Sequence, residues 1–325
     1  MLLTDPEDGV TASADPAFRR DVLTGLALPQ KAIPARWFYD RRGSELFEDI
    51  TALPEYYPTR VETALLKAIA PQVAQAVGPG RAVVEFGAGS SVKTPHLLAA
   101  IAPAAYVPID ISGDFLRDSS AVLAAQFPGL PVQPVVADFI GPVTLPDGIA
   151  TMPRLGFFPG STIGNMVPVQ AVDLLRSMRG SLGKGAMLLI GMDRIKDPAI
   201  LVPAYDDAAG VTAAFNMNLL TRINRELGGT IPIDGFRHRA IWNDALARIE
   251  MHLEATRDVA FTVAGEAFAM AAGDTIHSEN SHKYGARDAA LLLAAGGWSV
   301  TQTWTDAEGM FALILAEARA EPIAP

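Results

Sequence analysis

The 325-residue chain contains no cysteine. Disulfides, thiolate-bound zinc, cysteine-ligated iron–sulfur clusters and thiol nucleophiles are thereby excluded. Positive charge is also scarce: 26 Lys and Arg stand against 36 Asp and Glu, a net charge of −10. Without a long basic run the chain suits a phosphate backbone poorly, and no nucleic-acid partner is expected. Long apolar runs are missing as well, since Ala289 to Ala295 falls far short of the ~20 residues that cross a bilayer. Met1 to Pro16 carries Asp5, Glu7, Asp8 and Asp15 in place of the basic start and apolar stretch of a signal peptide. A cytoplasmic protein without a membrane partner is therefore expected. The phosphate loop GxxxxGK[ST] and the zinc motif HExxH do not occur. The nucleophile elbow GxSxG is only approached, in Gly160-Ser161-Thr162-Ile163-Gly164, with its serine one place too early. His96, His238, His252, His277 and His282 show no metal-ligand spacing, so they read as surface or local hydrogen-bonding residues and no metal is expected.

What is present is material for a packed core. Half the residues are hydrophobic and 19% are charged, which excludes a disordered or fibrous chain. The length gives a prior of roughly two domains at ~150 residues each. Short apolar runs at Arg81–Phe86, Ala105–Ile111, Val132–Ala137, Arg154–Phe158 and Ala186–Met192 alternate with helical stretches at 94–101, 114–127 and 171–182. That alternation predicts right-handed βαβ units and a parallel sheet. A helix is expected from Arg60 to Val77, capped by Thr59, kinked at Pro71 and preceded by an irregular loop over Leu53–Pro58.

After Asp193 the alternation breaks. Ala213–Leu227 reads as a helix, with Phe215, Leu219, Ile223 and Leu227 at four-residue spacing. Arg248–Ala255 alternates strictly and predicts a half-buried strand, with Val259–Val263 as its hairpin partner. Asp206-Asp207 reads as a solvated loop. A helix is expected over Ser281–Ala295. Trp298–Trp304 and Met310–Ala316 then read as two strands that rejoin the first sheet.

The chemistry-bearing positions sit at the ends of the early strands. Gly87-Ala88-Gly89-Ser90-Ser91 follows the first; such glycines let a ligand approach the backbone at a helix N-terminus. Val92 stands where a dinucleotide fingerprint has its third glycine, which argues against a pyrophosphate. Asp110 ends the second strand, 23 residues after Gly87, placed to accept from a ribose diol. Asp138-Phe139 ends the third, an acceptor beside an aromatic that suits an adenine. Each alone fits a plain turn or a solvated acid; together they point to a nucleoside ligand, and S-adenosylmethionine fits best.

The chain also resembles a known family, the ergothioneine-pathway histidine Nα-methyltransferases, which convert L-histidine to its trimethylammonium betaine, hercynine. The resemblance covers nearly the whole chain. It is carried by the strings 39–47 (YDRRGSELF), 53–60 (LPEYYPTR), 85–93, 158–165 (FPGSTIGN) and 278–284 (SENSHKY). It implies an α/β fold: a Rossmann-like class I methyltransferase domain with a seven-stranded, mostly parallel sheet and an inserted α+β substrate-binding domain. The first would take residues 61–195 and 284–325, the second 17–60 and 196–283, with 1–16 as a tail. The resemblance implies that Gly87, Lys93, Asp110, Asp138 and Phe139 hold S-adenosylmethionine, with Lys93 at the donor's amino-acid end. Asn165 and Tyr205 match residues that hold the substrate's carboxylate and amino group, Glu279 and Ser281 match residues that bind the imidazole, and Met251 matches one that packs on it. Tyr39, Phe47 and Tyr56 match aromatics lining the amine, with Tyr39 either a proton relay or an orienting group. Read without the family, Met251 is a core residue and Asn165 a helix cap. The expected protein is a monomer acting on L-histidine. The alternatives are a methyltransferase for another amino acid or small amine, and a non-catalytic amino-acid or nucleoside sensor.

Overall fold

The computed structural model describes residues 15–89 and 93–319. Most of the expected tail, and Ser90 and Ser91 of the glycine turn, lie outside the described residues. The first elements are α1 (Pro16–Ala27), β1 (Lys31–Ala32), α2 (Arg41–Thr51), α3 (Tyr57–Val77), β2 (Ala82–Phe86), α4 (Thr94–Ile101) and β3 (Ala105–Asp110). Then come α5 (Gly113–Gln126), β4 (Val135–Val136), β5 (Arg154–Phe158), α6 (Pro168–Leu182), β6 (Met187–Asp193), α7 (Pro198–Leu201) and α8 (Val211–Leu227). The rest are β7 (Phe236–Asn243), β8 (Arg248–Ala255), β9 (Val259–Val263), β10 (Glu266–Met270), β11 (Thr275–His282), α9 (Ala286–Ala295), β12 (Trp298–Thr305) and β13 (Phe311–Ala318).

Seven strands form one sheet in the order β12-β13-β6-β5-β2-β3-β4. The five from β2 to β6 run parallel, and β13 enters antiparallel to both β6 and β12. Parallel strands need cover on both faces, and the alternation of β2 supplies it. Ala82, Val84 and Phe86 pack with residues of α6 and α9. Val83 packs with Leu65, Leu66 and Ile69 of α3 and Leu97 and Leu98 of α4. The chain leaves β2 toward β3 on one side and returns through β5 on the other, so the strand order reverses beside β2. In such sheets the crevice beyond the carboxyl ends of the strands at that point takes the ligand.

A second sheet, β1-β11-β8-β7, is antiparallel except where β1 joins β11, and β9 and β10 form a separate hairpin. Its apolar face, Ile249, Met251, Leu253 and Ala255, shares one core with Phe215, Leu219 and Ile223 of α8 and with Phe18, Trp37 and Phe38.

Several local expectations are corrected. Both edges of β8 are filled, by β7 and β11, so Val259–Val263 pairs with β10 instead. Ser281 and His282 are strand residues opposite Ile249 and Arg248, and the helix expected from Ser281 starts only at Ala286. β8 is buried along both faces, not half-buried. α3 begins at Tyr57, with Pro58 in its first turn, where a missing N–H costs nothing, and it continues through Pro71. The third strand shrinks to two residues plus a bridge from Val132 to Tyr106, because Pro131 and Pro134 offer no amide to the ladder. Asp207 is buried, and its carboxylate accepts from the backbone N–H of Val211 and Thr212 at the start of α8.

Candidate active site

A cleft of about 1030 Å³ opens at the carboxyl ends of β2 and β3 and runs to the inner face of β8 and β11. All thirteen residues singled out from the sequence line it, from Tyr39 to Ser281.

One half belongs to the parallel sheet. Gly87 has φ +72, a conformation that strains any residue with a side chain, and a Cβ there would rest against the Phe139 ring at 3.4 Å. Asp110 accepts from the backbone N–H of Gly89 (3.2 Å) and of Ser112 (2.9 Å), which fixes its carboxylate at the strand end. Phe139 stands edge-on to Phe86 and Phe158, ring centroids 6.4 and 5.9 Å away. Asp138 accepts from Ile140 N–H and pairs with Arg36 at 3.1 Å. Glu85 turns to the α4 face of β2, where Tyr106 and Thr94 donate to it at 2.6 and 2.7 Å. Burial pushes its pKa up to about 7 against those two hydrogen bonds. Lys93 is ion-paired with the buried Glu62 of α3, which also accepts from Gly160 N–H. Glu62, not singled out from the sequence, thus ties α3 to two cleft segments.

The other half is aromatic and polar. Tyr39 lies edge-on to Phe47 (5.7 Å) and Phe215 (5.9 Å), and Tyr56 lies between Phe47 (6.3 Å) and Tyr205 (6.1 Å). Burial, with the nearby Glu279 second, holds the Tyr39 phenol well above its ordinary pKa. Phe215 completes this wall; the sequence reading placed it only on a helix.

Asn165 does not cap α6, whose first turn follows Val167. Its amide donates to Glu279 Oε1 at 3.0 Å. Gly164 makes that contact possible: a Cβ there would fall 2.8 Å from the His282 carbonyl, so only glycine lets this turn press on β11. Burial raises the Glu279 pKa to about 7, opposed by Lys283 and by the Asn165 hydrogen bond. Met251, fully buried, lies opposite Glu279 on the paired strand. Tyr205 and Ser281 share a hydrogen bond of 2.7 Å between their hydroxyls. Behind them sits a buried cluster that the sequence reading missed: Asp193 with Lys196 (2.6 Å), Lys283 (2.8 Å) and Tyr57 (2.6 Å). Lys283 and Tyr57 stand inside the strings 278–284 and 53–60, so the signal was there without a role attached.

Cross-strand pairing also brings Glu250, His252 and His277 together, their ligand-type atoms within 4.8 Å, which no linear spacing reveals. Arg248 claims Glu250 at 2.6 Å and the two imidazoles stack 4.7 Å apart. Burial works against the ionised carboxylate, but hydrogen bonds from Arg248, Asn243 and His252 bring Glu250 down to about 2. Arg248 thus neutralises the Glu250 carboxylate, while burial favours the neutral form of both imidazoles.

The strand order, with the antiparallel β13 set between β6 and β12, and the cleft at its switch point define a Rossmann-like fold of the methyltransferase type. The family described as "Histidine-specific methyltransferase, SAM-dependent" matches residues 18–318, and the chain belongs to it. Similar proteins include histidine N-alpha-methyltransferases of Mycolicibacterium smegmatis, 40% identical over 94% of this chain and 96% of the relative, and of Mycobacterium tuberculosis, 41% identical over 92% and 94%. Ergothioneine biosynthesis protein 1 of Neurospora crassa is 28% identical over 91% of this chain, which spans 35% of that longer protein. Among the described residues no helix is long and apolar enough to cross a membrane.

Proposed function

We propose that the protein transfers three methyl groups from S-adenosylmethionine to the α-amino nitrogen of L-histidine, forming hercynine as the first step of ergothioneine biosynthesis. The observation that carries this reading is the pairing of Asn165 with Glu279 beside the Tyr205–Ser281 hydroxyls, in a cleft that Tyr39, Phe47, Tyr56 and Phe215 also line. An amino acid with a ring N–H suits that set, which offers amide and hydroxyl donors for its carboxylate and, beside them, a carboxylate acceptor for its ring.

Residues 61–195 and 284–325 take the donor, and residues 17–60 and 196–283 form most of the acceptor side. The bound donor supplies a methyl group on a sulfonium. Asp110, oriented by two backbone amides, accepts from the ribose diol. Phe139 covers one face of the adenine, close to Gly87, and Asp138 accepts from its amino group. Lys93 faces the donor's carboxylate, with Glu62 holding the ammonium in place. Asn165 and Tyr205 hold the carboxylate and amino group of histidine, while Glu279 and Ser281 bind its imidazole and Met251 packs on the ring.

Methyl transfer is an in-line displacement, so the residues act mainly by orientation and by excluding water. The attacking amine must be neutral, and an aromatic wall of Tyr39, Phe47 and Tyr56 favours the neutral form by desolvation. Tyr39 keeps its proton at neutral pH, which fits an orienting hydrogen bond better than a proton acceptor. The quaternary product is accommodated by the same ring faces through cation–π attraction. The proposed state is a monomer, and the proposed place of action is the cytoplasm.

Calorimetry in the presence of S-adenosylhomocysteine tests the acceptor. Histidine is expected to bind at least tenfold more tightly than phenylalanine, whose ring offers Glu279 no hydrogen-bond donor. Tight binding of another amino acid with none of histidine overturns the assignment.

A further inference from the structure

Lys283 follows β11 directly and is fully buried, its side chain 0% exposed. A lysine ammonium has three donors and no acceptor. Here all three find partners at the same distance: Asp193 Oδ2, Tyr205 Oη and Ser281 Oγ, each at 2.8 Å. The ammonium also lies 4.7 Å from the centre of the Tyr205 ring. Asp193 is held in turn by Lys196 and Tyr57, so its carboxylate stays anchored without Lys283. Lys283 does not line the cleft; Tyr205 and Ser281 do.

The proton count around the two hydroxyls then becomes restrictive. Each oxygen accepts from Lys283. One of their two hydrogens is used in the 2.7 Å bond between them. The pair therefore presents one donor and one acceptor to the cleft, never two donors. We propose that Lys283 is a positioning residue that locks Tyr205 and Ser281 into this donor–acceptor pair and so sets which amino acid the cleft accepts. The proposal rests on the reading that both hydroxyls touch the amino-acid substrate. A substrate carboxylate at Tyr205 takes the one outward hydrogen. Ser281 then donates to Tyr205 and offers its remaining lone pair to an N–H of the side-chain ring. An aromatic amino acid without a ring N–H at that place leaves the Ser281 lone pair and Glu279 unmatched.

The test compares Lys283→Met and Lys283→Gln with the wild-type chain, by calorimetry with histidine and separately with S-adenosylhomocysteine. Lys283→Met is expected to weaken histidine about 30-fold or more while S-adenosylhomocysteine binds within twofold of wild type. Lys283→Gln, which still carries an N–H donor, is expected to recover part of the loss. In a Tyr205→Phe, Ser281→Ala background, Lys283→Met is expected to cost less than threefold more, since its partners are gone. Histidine affinity within twofold of wild type in a Lys283 variant that binds S-adenosylhomocysteine overturns the proposal. So does an undiminished loss in the double background. If Lys283→Met does not fold, Lys283→Gln carries the same comparison, alone and in the double background. A wild-type chain that binds S-adenosylhomocysteine but not histidine sinks the functional reading instead; the Lys283 comparison is then read on whichever amino acid the wild type binds.

Discussion

Gly87, Asp110 and Phe139 lie at or just beyond the ends of neighbouring parallel strands in one stretch of chain, where backbone N–H groups of Gly89 and Ser112 hold Asp110 and the rings of Phe86 and Phe158 hold Phe139. Tyr39, Asn165, Tyr205 and Glu279 come from four separated segments. They are placed by one another: Asn165 by Glu279, Tyr205 by Ser281, and that hydroxyl pair by Lys283 and Asp193 behind it. The proposed donor side is thus built mostly of local solutions that a βα turn supplies wherever a parallel sheet reverses its order, with the Lys93–Glu62 and Asp138–Arg36 pairs added from a distance. The acceptor side is a coupled polar network in low dielectric, where each group depends on its neighbours being present.

That contrast is sharpest at Glu279. Removing its carboxylate by Glu279→Ala is expected to weaken histidine by ~1–3 kcal/mol, the cost of a hydrogen-bonded group lost from a buried site. S-adenosylhomocysteine is expected to bind within twofold of wild type. Equal losses for both ligands, measured by calorimetry, would erase the distinction between the two halves. Asp110→Ala is the mirror experiment. It is expected to weaken S-adenosylhomocysteine roughly tenfold, about 1.4 kcal/mol, measured with no histidine present. An unchanged affinity would remove Asp110 from the donor site. Gly87→Ala is a smaller perturbation of the same side. At φ +72, with the Phe139 ring 3.4 Å from the new Cβ, it is expected to lower stability by ~1–2 kcal/mol and to weaken the donor several-fold. A thermal melt matching wild type would show that the turn relaxes freely.

The smallest effect concerns stability. Burial raises Glu279 from 4.5 to about 7. Between those values the folded state binds more protons than the unfolded one, so this contribution to stability is present below pH 4.5 and lost as pH rises through 7. Glu279→Gln removes the titrating group. Relative to wild type, its Tm without ligand is expected to be a few degrees higher at pH 8 than it is at pH 5. The same variant is expected to bind histidine less well, so the acceptor side carries a buried acid at a cost to the empty protein. A Tm difference that does not change with pH would show that Glu279 is not the group responsible.

The two halves also differed in how far they were legible from residues alone. β2, β3, β5 and β6 were placed to within a residue or two, because buried parallel strands are continuous apolar runs with glycines at their ends. Of the proposed donor residues, Gly87, Asp110, Asp138 and Phe139 followed from strand ends and spacing, and Lys93 from the family likeness alone. In the second sheet the strand β7, Phe-Arg-His-Arg-Ala-Ile-Trp-Asn, went unseen because charged residues occupy one face and no clean apolar alternation marks the other. β11 is rich in Ser, Asn and His and was read partly as the start of a helix; its strand geometry comes from pairing with β8, which no local propensity encodes. Asn165 and Glu279 were named by family likeness, and their mutual hydrogen bond depends on the close approach at Gly164. Lys283 stood in a family string with no role attached, and its pairing with Asp193 lay beyond reach, since a buried ion pair between distant strand ends leaves no pattern in the chain.

The central claim is that histidine itself is the methyl acceptor at its α-nitrogen. Incubation of the protein with L-histidine and S-adenosylmethionine, followed by mass measurement of the products, tests it directly. The expected product is histidine carrying three added methyl groups, all on the α-nitrogen in the fragment ions. Histidine recovered unchanged while another amine gains the methyl groups would contradict it.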